Sequence, residues 1–185
     1  DGSLQWKTRT GPSVTAPVLD SRGIWAYVGS VEGTLTALSI ADGNVRWIVD
    51  SGAPILTSPY MSLDETKVFF GNDDIEAVAL RILDGTEVWS TTLQGQSLMN
   101  CDPVVNGTTV IYRSQPLYNF HLLLYEGDDV MDQAGGIASD WGQDWNKVQP
   151  EITSYLSNQP SKQTFFILDT EDGQSRGIAP VLYTY

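Results

Sequence analysis

An eleven-residue phrase occurs twice in this chain, 42 positions apart, and it dictates most of what the chain can fold into. The first copy runs Ala37-Leu38-Ser39-Ile40-Ala41-Asp42-Gly43-Asn44-Val45-Arg46-Trp47. The second runs Ala79-Leu80-Arg81-Ile82-Leu83-Asp84-Gly85-Thr86-Glu87-Val88-Trp89. The tail of a third copy, Asp1-Gly2-Ser3-Leu4-Gln5-Trp6, stands one period earlier, so the first residue already falls inside a unit. Each phrase joins two alternating apolar segments through Asp-Gly. That dipeptide accepts the positive φ of a tight turn, and alternation places one side of a strand in a core. A period near 42 with short turns is that of a unit that cannot bury its apolar face alone and stacks on its neighbours.

The expected fold is therefore all-β: a β-propeller of four-stranded antiparallel blades, about three of them, with partial blades at both ends. In the first unit, strands are expected over 15–19, 24–29, Thr34–Ser39 and 44–49. In the second they follow Thr57-Ser58-Pro59, over Lys67–Gly71, Glu76–Arg81 and 86–91. Proline recurs at Pro17, Pro59, Pro103 and Pro180, where the edge or first residue of a strand tolerates a missing N–H. Since propellers close with about four to eight blades, the expectation is a segment of a longer chain.

The proline spacings are 42, 44 and 77, so the third unit carries an insertion. Two registers place it. In one, 164–173 matches 34–43 and is a third strand with its turn. In the other, 119–125 is the third strand and 163–168 the fourth, which puts Phe166 at the same distance from Pro180 as Trp89 from Pro103. The second is preferred; it sets an insertion of irregular or short helical structure over 126–162, between the third and fourth strands. Trp141, Trp145 and Tyr155 in that insertion are candidate partner-binding residues, although packing onto their own blade accounts for them more simply.

Ala37, Gly43 and Trp47, with Ala79, Gly85 and Trp89, resemble the tryptophan-docking motif of PQQ-like (quinoprotein-type, BamB-like) β-propeller repeats, found in quinoprotein dehydrogenases and in BamB-type outer-membrane assembly lipoproteins. The likeness covers about 1–114 and, more weakly, 163–185. Ser39 and Asp42, and Arg81 and Asp84, replace the usual Asp and Thr of the motif. The resemblance implies that Trp6, Trp47 and Trp89, with Phe166 in the third unit, dock one blade on another, the small alanine leaving room for a neighbour's ring. In a quinoprotein it would also imply a quinone, a calcium ion, a catalytic Asp and a vicinal disulfide. Cys101 is the single cysteine, so no such disulfide can form, and none of those catalytic residues is carried over.

The remaining residues narrow the function by exclusion. The net charge of −13 opposes binding to nucleic acid or an anionic membrane surface, and no apolar run approaches the length of a membrane span. His121 is the sole histidine, so a multi-histidine metal site is excluded and a Ser-His-Asp constellation has no support. Asn72-Asp73-Asp74 and the acidic run 126–129 lack the spacing of a calcium loop and read as turns. Few lysines, many small polar residues and a possible glycosylation sequon at Asn106-Gly107-Thr108 point to an extracellular or periplasmic protein. The expected role is a non-catalytic scaffold or protein-interaction module without cofactor, its partner a protein or further copies or pieces of the same protein. The alternatives are a fragment of a PQQ-dependent oxidoreductase and a self-assembling structural subunit.

Overall fold

Alternating apolar residues separated by tight turns build three antiparallel sheets in the computed structural model, which describes residues 2–95, 97–114 and 164–178. The first sheet contains β1 (Val18–Leu19), β2 (Trp25–Gly29), β3 (Thr34–Ser39) and β4 (Val45–Asp50). The second contains β5 (Tyr60–Met61), β6 (Lys67–Gly71), β7 (Glu76–Arg81) and β8 (Glu87–Thr92). The third contains β9 (Val104–Asn106), β10 (Thr109–Arg113), β11 (Phe165–Asp169) and β12 (Ser175–Ile178). In every sheet the strands lie side by side in chain order, as in a propeller blade.

The third sheet corrects the preferred register. β11 is its third strand, paired with β10 on one side and β12 on the other, so Phe165–Asp169 is not a fourth strand. The turn explains why. Gly173 has φ +68° and donates its N–H to Asp169 O at 3.1 Å, as Gly43 does to Ser39 O and Gly85 to Arg81 O. Asp172-Gly173 thus closes the same hairpin as the two earlier Asp-Gly pairs. Phe166 consequently does not occupy the place of Trp47 and Trp89; Gly177 on β12 does. The chain between β10 and β11, including the expected strand 119–125, the insertion 126–162, His121, Trp141, Trp145 and Tyr155, lies outside the described residues, as does Pro180.

Two cores fill the spaces between sheets. Tyr27, Leu35, Ala37 and Trp47 of the first sheet pack with Met61, Val68, Phe70, Val78 and Leu80 of the second. The opposite face of the second sheet presents Phe69, Ala77, Ala79 and Trp89 to Val105, Val110, Tyr112, Phe166 and Leu168 of the third. Strands β6 and β7 therefore bury both faces, which is why Val68-Phe69-Phe70 is a continuous apolar run. The outer strands β4 and β8 each bury one side chain, the tryptophan.

Candidate functional site

Among the described residues, Trp6, Trp47 and Trp89 mark the places where one sheet meets the next. A bulge sets each indole's aim. Ala37 pairs with Trp47 but Leu38 with Val45, leaving Arg46 as the extra residue; Ala79 pairs with Trp89 and Leu80 with Glu87, leaving Val88. An added residue bends the strand and sharpens its twist, so Trp47 and Trp89 lean past their own sheets toward the following one.

Each indole then covers the Asp-Gly turn of the next sheet. Trp47 donates its Nε1–H to Ile82 O at 3.0 Å, Trp89 to Thr170 O at 3.1 Å, and Trp6 to Ile40 O at 2.6 Å. A Cβ on Gly43, Gly85 or Gly173 would come within 2.5, 2.9 or 2.7 Å of Trp6, Trp47 or Trp89 respectively. All three glycines also have φ near +70°. Glycine is thus required twice at each turn, for its backbone and for the ring above it. The alanines play a different part from the one expected of them: Ala37 and Ala79 sit opposite Trp47 and Trp89 within the same sheet, while the room for the ring is made by the neighbouring glycine. Tyr27 and Phe69 flank the same indoles, with ring centres 5.7 and 5.8 Å away.

A second set of contacts links equivalent positions of successive sheets. Thr8 and Thr91, two residues after Trp6 and Trp89, donate their hydroxyls to Gly43 O and Gly173 O. At the start of the inner strands, Ala16 N–H donates to Ser58 Oγ and Ser58 N–H to Asp102 Oδ1 at 2.6 Å. Each of these residues precedes a proline, so its own N–H is the last donor available before the strand. Tyr112 donates its hydroxyl to Phe70 O at 3.0 Å, and Lys67 Nζ lies 2.8 Å from Glu171 Oε1.

Burial pushes the Tyr112 phenol well above its ordinary range and the Tyr27 phenol up to about 12, nearby Arg46 partly opposing the latter shift. Neither is poised as an acid or base near neutral pH. Asp42, Asp64 and Asp84 are held below the usual carboxylate range, chiefly by side-chain hydrogen bonds from Ser39, Ser62 and Thr86 respectively. A cleft of about 290 Å³ opens between β8 and the third sheet, lined by Thr91, Leu93, Gln94, Phe166, Gln174 and Ser175 among others, with no ionisable side chain. Trp47 and Trp89 are not free to stack on a quinone: each is covered by the next sheet's turn, and their N–H groups are taken by backbone carbonyls. Asn106 stands exposed on the β9–β10 turn. Sequence reasoning missed the bulges and the inner-strand links; only the periodic Ala16, Ser58 and Asp102 before proline could have signalled the latter.

Comparison with solved structures places this architecture among β-propellers. BamB from Moraxella catarrhalis superposes with a TM-score of 0.59 at 17% identity, over 97% of this chain and 41% of that one. Quinohemoprotein alcohol dehydrogenase from Comamonas testosteroni gives 0.51 at 15% identity, over 88% and 20%. The β-propeller domain of Myceliophteria thermophila Cps50 (Swd1) gives 0.51 at 14%, over 58% and 34%. At these identities the likeness is one of fold, and the chain spans well under half the length of each. No curated protein matches the sequence. The model of the family described as outer membrane protein assembly factor BamB matches residues 1–176, nearly the whole chain, and to that family of PQQ-like propeller repeats the chain belongs.

Proposed function

We infer that the chain is a segment of a non-catalytic, extracytoplasmic propeller that serves as a scaffold in assembling outer-membrane proteins. One observation carries this reading: Trp47 and Trp89, the residues best suited to stack on a planar cofactor, are committed to holding sheets together. The matching family, outer membrane protein assembly factor BamB, supplies the process. The acidic surface, −13 overall, suits a soluble protein that meets other proteins rather than nucleic acid. A propeller offers such partners rigid edges and turn-lined rims.

The test has two arms. Pyrroloquinoline quinone with calcium should leave the melting temperature of the full-length protein unchanged, because a ligand bound by the native state must raise it. Deleting the gene in its own host should lower the amount of barrel proteins in the outer membrane. A ligand-dependent rise in melting temperature with normal outer-membrane content would replace this reading by that of a quinoprotein oxidoreductase. The self-assembling alternative predicts a native mass that grows with concentration.

A further inference from the structure

We propose that Asn106 is a site of spontaneous backbone modification, converting to aspartate and isoaspartate through attack by the Gly107 nitrogen. The Asx-Gly turns of the described residues fall into two kinds. At Asp42-Gly43, Asp84-Gly85 and Asp172-Gly173, the glycine N–H is donated to a backbone carbonyl at 2.9 to 3.1 Å, and an indole covers the glycine. At Asn106-Gly107 the glycine N–H has no backbone acceptor among the described residues, and nothing lies within 4 Å of where a Cβ would stand. Asn106, Gly107 and Thr108 are all exposed. The electrophile differs as well: it is a carboxamide here and an ionised carboxylate at the other three turns.

The other described asparagines are protected. Asn44 donates its side-chain amide to Asp42 and Asn72 donates its own to Ser51 O and Glu76, while Cys101, which follows Asn100, donates its N–H to Leu98 O. Each of the three is also followed by a residue with a side chain, which crowds the attacking nitrogen. The Asn106 side chain has no hydrogen-bond partner among the described residues; only its backbone carbonyl is engaged, by the Thr109 hydroxyl at 2.8 Å.

The step balances without oxidant or reductant. Gly107 N loses its proton to solvent and attacks Asn106 Cγ; the new N–C bond closes a succinimide, the carboxamide C–N bond breaks, and the nitrogen leaves as ammonia after taking a proton from water. Water then opens the ring at either carbonyl. One product is Asp; the other, isoaspartate, carries an extra carbon in the backbone. The hairpin between β9 and β10 is short, and β9 has only three residues, so the opening that the attack requires lies at the low-stability end of the sheet. The isoaspartyl product cannot keep the pairing of Asn106 with Thr109.

The full-length protein, held at mildly alkaline pH and sampled over weeks, tests this by peptide mass and by enzymatic methyl labelling of isoaspartate. The expected result is amide-to-acid conversion at Asn106 several-fold faster than at Asn44, Asn72 or Asn100, accelerating with pH, with isoaspartate at that position. Native-state hydrogen exchange should show faster exchange in β9 and β10 as product accumulates. The Asn106→Gln variant, changed at an exposed side chain without partners, should fold normally and lose the labelling. Conversion at Asn106 no faster than at Asn44, Asn72 and Asn100, or undiminished labelling in Asn106→Gln, would overturn the proposal.

Discussion

Trp47 lies on Gly85 of the following sheet so closely that a Cβ there would stand 2.9 Å from its indole, while its N–H reaches Ile82 O at 3.0 Å. The same relationship joins Trp89 to Gly173 and Thr170. Two consequences distinguish this arrangement from ordinary burial: the glycine tolerates no side chain, and the ring is worth more than its area because its polar edge has a specific acceptor.

The glycine requirement separates into strain and contact. Gly173→Ala meets both a positive φ of 68° and the Trp89 ring at 2.7 Å, whereas Gly52→Ala meets φ +80° with no neighbour within 4 Å. Gly52→Ala should cost about 1 kcal/mol, from backbone conformation alone. Gly173→Ala should cost about 1 to 3 kcal/mol more, from overpacking. Denaturant unfolding of both variants measures the difference.

Trp89→Ala should destabilise by about 3 to 5 kcal/mol, in the range for truncating a buried aromatic ring. Trp89→Phe keeps much of the ring but leaves Thr170 O without its donor, a loss of about 1 to 3 kcal/mol. Thermal unfolding should therefore rank wild type above the phenylalanine variant and that above the alanine variant.

The two buried tyrosines should respond oppositely to loss of the hydroxyl. Tyr112 donates to Phe70 O, so Tyr112→Phe should cost about 1 kcal/mol or more. Tyr27 Oη is buried and has no hydrogen-bond partner among the described residues, so Tyr27→Phe should be neutral or stabilising. The pH dependence follows from the raised Tyr27 value. A phenol whose folded pKa lies above the ordinary 10 contributes stability that is fully present below pH 10 and is lost as the pH rises toward about 12. Unfolding free energy should fall across that window, and fall less in Tyr27→Phe.

Lys67, nearly buried, has its ammonium beside the exposed Glu171. Glu171→Gln should therefore destabilise by about 1 kcal/mol, by leaving the cation unpaired, while Lys67→Met should cost little or even stabilise. Urea midpoints at low and high salt test the pair: the gap between wild type and Glu171→Gln should narrow as screening grows.

How much of this was legible in the sequence depends on which residues carry two constraints. Strands β3, β6 and β7 were found with their observed bounds, because a short apolar run and a flanking turn agree there. Asp-Gly was decisive in the first two units, since the left-handed backbone and the ring above it both demand glycine. Proline spacing misled, because proline at a strand edge is tolerated, not required. Counting back from Pro180 put Phe166 on a fourth strand, while Asp172-Gly173 had already marked the turn. The absence of a tryptophan made the error easy: Gly177 stands where the ring would be, so the repeat lost its clearest letter. The bulges at Arg46 and Val88 carry no sequence signal beyond a one-residue slip in alternation, and the link from Ala16 through Ser58 to Asp102 uses backbone N–H groups whose only trace in the sequence is the recurrence of these positions before proline.

The tryptophans join sheets, and a double-mutant cycle on Trp47 and Gly85, read by denaturant unfolding, measures that coupling. Strong non-additivity is expected: with Trp47→Ala in place, Gly85→Ala should cost only the backbone strain of its φ of +75°, about 1 kcal/mol, because the ring it would strike is gone. Strictly additive losses would contradict it, and would return the tryptophans to the list of residues free to bind something else.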